Sequence, residues 1–411
     1  MSQLLEINGQ RLWDSLMEMA RIGATAKGGC NRQTLTDLDR EARDLYIEWA
    51  KAAGCTVRID TMGNIFARRA GKDNELPVVM TGSHIDTQPT GGKFDGVYGV
   101  LAGLEVIRSL NDHNIETLAP IEASIWTNEE GARFSPAMIG SGVWSGEFDL
   151  DYGHNRRDKQ NHTIKEELER IGYLGETPCE PHAVKGFFEV HIEQGPILED
   201  EGLQIGVLNG VQGMNWYDLT ITGNPVHAGP TPMESRQDPF MGLHKIIDRL
   251  YSMVAEFAPW SRVTFGDIKA IPGSRNTVPE QLILAVDLRH PDQSTLEEID
   301  RRFREIAKQE CEKLKLTADI HDEWQSPAVK FNENCIEAVR QSTQALGYSH
   351  KEMFSGAGHD SVYISRVVPT SMIFIPCEKG ISHNEAENAE PEDITAGCNV
   401  LINAMLALAN D

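Results

Sequence analysis

Residues 119–134 read APIEASIWTNEEGARF: an apolar, strand-like run that stops in two adjacent glutamates, Glu129 and Glu130. Neighbouring carboxylates repel, and a loop gains no stability from holding them together. Either both face water, or something positive lies between them and a second cluster elsewhere in the chain. Successive residues of an extended segment point in diverging directions, so two such acids can do different jobs. One can bind a cation while the other stands over the water that the cation polarises.

The same pattern recurs on either side of this stretch. PVVMTGSHIDT (77–87) and FFEVHIEQG (187–195) are buried-strand patterns running into His, Asp or Glu, and GVYGVLAGLEVIRSL (96–110) is a helix between strands. Short alternating strands, TVRID and NIFARRA, precede them. Strands that alternate with helices and end in polar ligand-type residues predict an α/β sheet with its site at the carboxyl ends. Nearer the N-terminus, TLTDLDREARDLYIEWAKAAG carries Leu38, Ala42, Leu45, Tyr46 and Trp49 at helical spacing, with Gly54 as a stop. Leu5, Leu12, Leu16 and Met19 predict a further amphipathic helix before it.

After about Gly213 the texture changes. DLTITGNPVHAG, SRVTFGDIKAI, EQLILAVDLRH and TADIHDEW read as strands, with helices DPFMGLHKIIDRLYSMVAEFA and LEEIDRRFREIAKQECEKL among them. That β-α-β-β-α-β order is ferredoxin-like. The α/β style then resumes in ENCIEAVRQSTQALG, PTSMIFIP and DITAGCNVLINAMLALAN. The expectation is a discontinuous domain over 1–212 and 330–411 around an insertion at 213–329.

The composition narrows the function. A chain of 411 residues exceeds one ordinary core. A net charge of −24 speaks against nucleic acid and anionic membrane surfaces. Seven scattered cysteines without a C-x-x-C pair fit reduced thiols better than a disulfide framework, and no signal peptide or membrane-spanning run is evident. A cytoplasmic protein is expected.

Five stretches place metal-type ligands beside glycines or after strands: TGSHIDT, GGKFDGVYGV, WTNEEGARF, EVHIEQGP and GISHNEAE. His84 and Asp86 alternate on one face, which suits a ligand and the carboxylate that orients its imidazole. Glycines around Asp95 allow a turn that brings its carboxylate close to a site. Mixed imidazole and carboxylate donors suit zinc, manganese, nickel or cobalt.

With HAGPTPM and GAGHDS added, the set resembles the amidase, hydantoinase and carbamoylase branch of the M20 dinuclear metallohydrolases. Within it the chain looks like the N-carbamoyl-L-amino-acid hydrolases and β-ureidopropionases, with allantoate amidohydrolases as near relatives. The resemblance implies a zinc-exopeptidase-like three-layer catalytic domain with an inserted ferredoxin-like α+β lid and dimerisation domain. It implies two divalent cations bridged by Asp95, one also held by His84 and His191, the other by Glu130 and His383. Glu129 would be the general base and Asp86 would orient His84. Gln194, Asn276, Arg289 and Gly358 would contact substrate, and His227 would polarise the scissile carbonyl from the partner subunit of a homodimer. The implied reaction is hydrolysis of the ureido C–N bond of an N-carbamoyl-L-amino acid or N-carbamoyl-β-alanine to the amino acid, carbon dioxide and ammonia. Allantoate hydrolysis, or aminoacylase or dipeptidase activity on the same fold, are the alternatives. The other histidines are expected to be structural or surface residues.

Overall fold

The computed structural model describes residues 4–411. The strands, in chain order, are β1 (Thr56–Ile59), β2 (Ile65–Arg69), β3 (Val78–His84), β4 (Ile121–Trp126), β5 (Val184–Ile192), β6 (Ile205–Val211), β7 (Gly213–Thr222), β8 (Arg262–Ile271), β9 (Gln281–His290), β10 (Thr317–Ser326), β11 (Val329–Lys330), β12 (His350–Ser355) and β13 (Thr370–Ile375). The chain divides into two compact units: one runs to Asn209 and resumes at Phe331, the other is Gly210–Lys330.

In the first unit the sheet order is β1-β2-β4-β3-β5-β13-β6, with β12 also on β6. Its centre, β4-β3-β5-β13, is parallel. The outer strands β1, β2 and β6 are antiparallel to their neighbours. Central strands are buried on both faces, which is why they read as near-continuous apolar runs. Val78 and Met80 pack with Phe66, Trp126, Trp144, Phe187 and Ile364 on one face. On the other, helix Val97–Asp112 lies close enough that a Cβ on Gly103 would meet Thr81 at 2.9 Å and Ala123 at 3.1 Å. Helix, sheet, helix is a three-layer arrangement.

Two local expectations are corrected. The first helix starts at Gly9, not at Leu5, because Asn8 caps it by accepting the Arg11 N–H at 3.0 Å. Leu5 instead donates its N–H to Asn403 Oδ1. In helix Asp37–Ala52 the buried face carries Asp39, Ala42, Arg43, Tyr46 and Ala50, while Leu38 is exposed. The Arg43–Asp39 ion pair, 2.9 Å across and fully buried, takes the place expected for leucine.

The second unit is a four-stranded antiparallel sheet in the order β10-β7-β9-β8. Helices Pro239–Ala255 and Gln293–Lys313 cover one face, giving a ferredoxin-like topology. β9 alternates buried and half-buried residues along its length, as a sheet with one packed face requires. Leu219, Ile221, Leu284, Val286, Ile246, Leu250, Ile299 and Phe303 form its core. No helix among the described residues is long and apolar enough to cross a membrane.

Candidate metal centre

The carboxyl ends of the parallel strands bring five of the predicted residues together. β3 ends on His84, paired with Trp126 of β4, and His191 of β5 is paired with Phe374 of β13. Just beyond β4 the chain turns through Asn128, whose φ of 61° is left-handed, into Glu129 and Glu130. Asn128 can adopt that turn because its amide donates to the carbonyls of Phe134 at 2.8 Å and Pro136 at 3.2 Å. Gln194 (φ 58°) and His383 (φ 52°) are also left-handed. Left-handed non-glycine residues cost roughly 1–3 kcal/mol each and cluster where function demands a particular placement.

Asp95 lies at the middle. Its Oδ1 is 3.2 Å from His191 Nε2 and 3.8 Å from His84 Nε2. Its Oδ2 is 3.3 Å from His383 Nε2, which is itself 3.3 Å from Glu130 Oε2. Two three-residue nests result, His84–Asp95–His191 and Asp95–Glu130–His383, each with donor atoms within 4.8 Å of one another. Gly96, at φ 68°, permits this approach, since a Cβ there would lie 2.3 Å from the His84 ring.

The imidazole tautomers follow from the geometry. His84 Nδ1 donates to the Asp86 carbonyl at 2.9 Å, and His191 Nδ1 to the Ile192 carbonyl at 2.9 Å. In the neutral rings each Nε2 lone pair then faces a carboxylate oxygen, an arrangement that needs a proton or a cation between. Metal–donor bonds of about 2.0–2.1 Å in tetrahedral geometry put neighbouring donors about 3.3 Å apart. The observed separations of 3.2–3.8 Å are of that size. The residues therefore fit a pair of divalent cations sharing Asp95.

The acids raise the same demand. Burial, then the charges of Asp360 and Glu130, push Glu129 well above the usual carboxylate range. Burial and the Asp95 charge raise Glu130 to about 8. Burial alone would depress His191, but Asp95 outweighs it and holds the imidazolium up to about 9. Hydrogen bonding to Asp95 does the same for His383, also to about 9. His84 is the exception, with burial lowering it to about 4. Cations set between these groups relieve the crowding of negative charge.

Glu129 belongs to neither nest. It is buried, with Oε2 3.5 Å from His84 Nε2. The Asp86 carboxylate does not make the contact expected of it. Its Oδ1 stays 3.9 Å from His84 Nδ1, and the main-chain carbonyl holds the ring instead. Its two oxygens accept the N–H groups of Glu129 and Glu130, both at 3.3 Å. Asp86 thus organises the twin-glutamate turn with its side chain and His84 with its backbone.

Gln194 donates to Asp95 Oδ2 at 3.1 Å and to Ser382 at 3.2 Å, and its buried Oε1 has no partner. Gly358 lies against Met138; a Cβ there would meet its methyl at 3.3 Å. His359 and Asp360 beside it are buried: the His359 ring packs 4.6 Å from that of His191, and Ser141 donates to Asp360 at 2.5 Å.

The remaining predicted residues lie in the second unit, where His227 and Asn276 neighbour each other at one end of the sheet and Arg289 stands on β9 opposite Met214, towards the other end. His227 pairs with Thr277 in an isolated bridge, and Ala228 donates its N–H to the Asn276 carbonyl at 2.9 Å. His227 is exposed, and its Nδ1 accepts the Gly229 N–H at 3.0 Å, which puts the ring proton on Nε2. The Nε–Nη2 edge of Arg289 grips Asp287 at 2.9 and 2.7 Å.

Sequence reasoning overlooked two residues here. Gln88 donates its N–H and its amide to the Glu130 carboxylate, at 3.1 and 2.8 Å. Glu387 accepts the N–H groups of Phe94 and Asp95. Both sit at the end of motifs already singled out, two residues past Asp86 and four past His383, so proximity to those motifs was the available signal.

A three-layer α/β unit with paired imidazole and carboxylate nests astride one aspartate, and a further buried glutamate beside them, defines a metallohydrolase-type centre. The chain belongs to Peptidase family M20/M25/M40, whose pattern matches residues 80–407. It is 45% identical over 403 residues to the N-carbamoyl-L-amino-acid amidohydrolase of Rhizobium meliloti, covering 98% of this chain and 97% of that protein. It is 31% identical over 398 residues to the allantoate amidohydrolase of Bacillus subtilis, covering 96% and 97%. Among solved structures, an amidase of the hydantoinase/carbamoylase family from Burkholderia multivorans superposes with a TM-score of 0.96 at 51% identity, covering 99% of both chains.

Proposed function

We propose that the protein hydrolyses the ureido C–N bond of N-carbamoyl-L-amino acids, releasing the amino acid, carbon dioxide and ammonia. The observation that carries this reading is Asp95, whose two oxygens each face a separate ligand pair while Glu129 stays uncommitted at 3.5 Å from His84. The similarity to an N-carbamoyl-L-amino-acid amidohydrolase at 45% identity supports the choice of substrate.

His84, His191 and Asp95 would hold one cation; Asp95, Glu130 and His383 the other. Bound there, the cations supply Lewis acidity and bring the pKa of water towards neutrality. Glu129 takes the proton of the attacking water and delivers it to the departing nitrogen, so the amino acid leaves with a neutral amine. The carbamic acid left behind falls apart to carbon dioxide and ammonia. The His227 Nε2–H and the Asn276 amide would stabilise the tetrahedral oxyanion, each donor contributing about 3 kcal/mol. Arg289 would pair with the substrate α-carboxylate through a planar fork, in competition with Asp287. In this reading the enzyme is a homodimer, and the His227 at each centre is His227 of the partner subunit.

N-carbamoyl-β-alanine and allantoate also carry a ureido group and a carboxylate, and acetylated amino acids test the aminoacylase alternative. The experiment is a kinetic panel of N-carbamoyl-α-amino acids, N-carbamoyl-β-alanine, allantoate and N-acetyl amino acids, after chelation and reloading with single metals. Highest kcat/KM on the carbamoyl α-amino acids is expected. Highest kcat/KM on allantoate or on an acetyl amino acid would overturn the substrate assignment.

A further inference from the structure

The second ligand-bearing loop, GISHNEAE, carries a carboxylate that the proposed reaction leaves without a task. Glu387 is 2% exposed, and its Oε1 accepts two main-chain N–H groups, those of Phe94 at 2.9 Å and Asp95 at 3.0 Å. Its Oε2 accepts the Ser382 hydroxyl at 2.9 Å. That hydroxyl is also 3.1 Å from Asp95 Oδ2, the oxygen facing His383 and Glu130. Room for the carboxylate comes from Gly92, where a Cβ would sit 2.1 Å from Glu387 Cδ. One acid therefore ties the backbone of the Asp95 loop to the loop carrying His383, four residues away.

We propose that Glu387 is a positioning residue that sets the direction of the Asp95 carboxylate and so makes the cation site of Glu130 and His383. The inference rests on the two-cation reading above. Its asymmetry comes from the contacts. His84 and His191 are each held by a backbone carbonyl that does not involve Glu387. Asp95 Oδ2, by contrast, is reached through Ser382 from the Glu387 side. Losing the acid leaves two buried N–H groups without an acceptor and frees the loop on the Oδ2 side, while the Oδ1 nest keeps its own supports.

The test is isothermal titration of Mn²⁺ into the chelator-treated full-length protein, with far-UV circular dichroism to report folding. Wild type is expected to bind two cations per chain. Glu387→Ala is expected to keep the first within about threefold and to weaken the second about 10–100-fold, the usual effect of removing a group that orients a ligand. Glu387→Gln retains an acceptor oxygen for both N–H groups and an amide that can donate to Ser382, so both affinities should stay within about threefold of wild type. This rescue separates positioning from charge. Glu387→Asp, one methylene shorter, keeps the charge but not the reach, and should weaken the second cation as alanine does. It decides the matter should the alanine variant fail to fold. Two cations held equally by all variants would overturn this inference alone. The glutamine variant failing like alanine would overturn it too. Wild type binding one cation, with every variant matching it, would remove the two-cation reading together with this inference.

Discussion

Asp95 is the residue at which the two ligand nests meet. Its Oδ1 is turned to His84 and His191 and its Oδ2 to His383, while Glu387 fixes the main chain beneath it. The same groups predict how protonation opposes metal uptake. With no cation bound, Glu130 holds its proton up to about 8, and His191 and His383 hold theirs up to about 9. Ligands must lose those protons to bind, so uptake near pH 7 should release about three protons per chain. Affinity should therefore rise with pH and level off above about 9, where the ligands are already deprotonated. Calorimetry in buffers of different ionisation heat measures the release; an affinity flat from pH 6 to 9 would sink the assignment. The sequence made His84, Asp95, Glu130, His191 and His383 conspicuous because each stands in a Gly- or strand-bounded motif. Gln88 and Glu387 were hidden because their roles are hydrogen bonds to groups distant in the chain, which no local pattern announces. Asp86 was misjudged for a related reason: alternation gave the right face, but only the folded turn shows the carboxylate capping Glu129 and Glu130.

At the level of elements, the strands of the sheet were legible because a buried strand ending in a charged residue is a strong pattern. Helix Asp37–Ala52 was legible as a helix, but its buried face was not. Periodicity placed Leu38 inside, whereas Arg43 is buried by its pairing with Asp39 and by hydrogen bonds to Gly63 and Thr127. In the second unit, helix Gln293–Lys313 depends on the residue that caps its N-terminus, Asp292. Asp292 Oδ1 accepts the Ser294 hydroxyl at 2.6 Å and the Thr295 N–H at 2.8 Å. These bonds lower the acid to about 2. A folded-state pKa below the unfolded value means the stabilisation is complete above about pH 4 and lost as pH falls through about 2. Asp292→Ala should destabilise the protein by about 1 kcal/mol at pH 7 in urea unfolding. The deficit should shrink below pH 4; a deficit independent of pH would show that the cap does not act through its charge.

For the whole molecule, the proposed dimeric site makes a prediction that neither unit makes alone. Glu129→Gln should cut turnover by about 10²–10⁴-fold, and His227→Ala should also be nearly inactive. If His227 serves the partner subunit, mixing the two variants creates dimers with one complete site. An equal, randomly reassorted mixture should regain about a quarter of wild-type activity. A mixture as inactive as its parents would place His227 in the site of its own chain. By itself the sequence determined the α/β and ferredoxin-like patterns, the ligand types and the loops that carry them, since burial periodicity and donor chemistry are written in local residue order. Only tertiary structure decided which Asp95 oxygen faces which imidazole, which nitrogen of each ring is turned to it, and which acid holds which loop. Those are matters of a few ångströms between residues up to some 300 positions apart in the chain, set when separate strand ends converge.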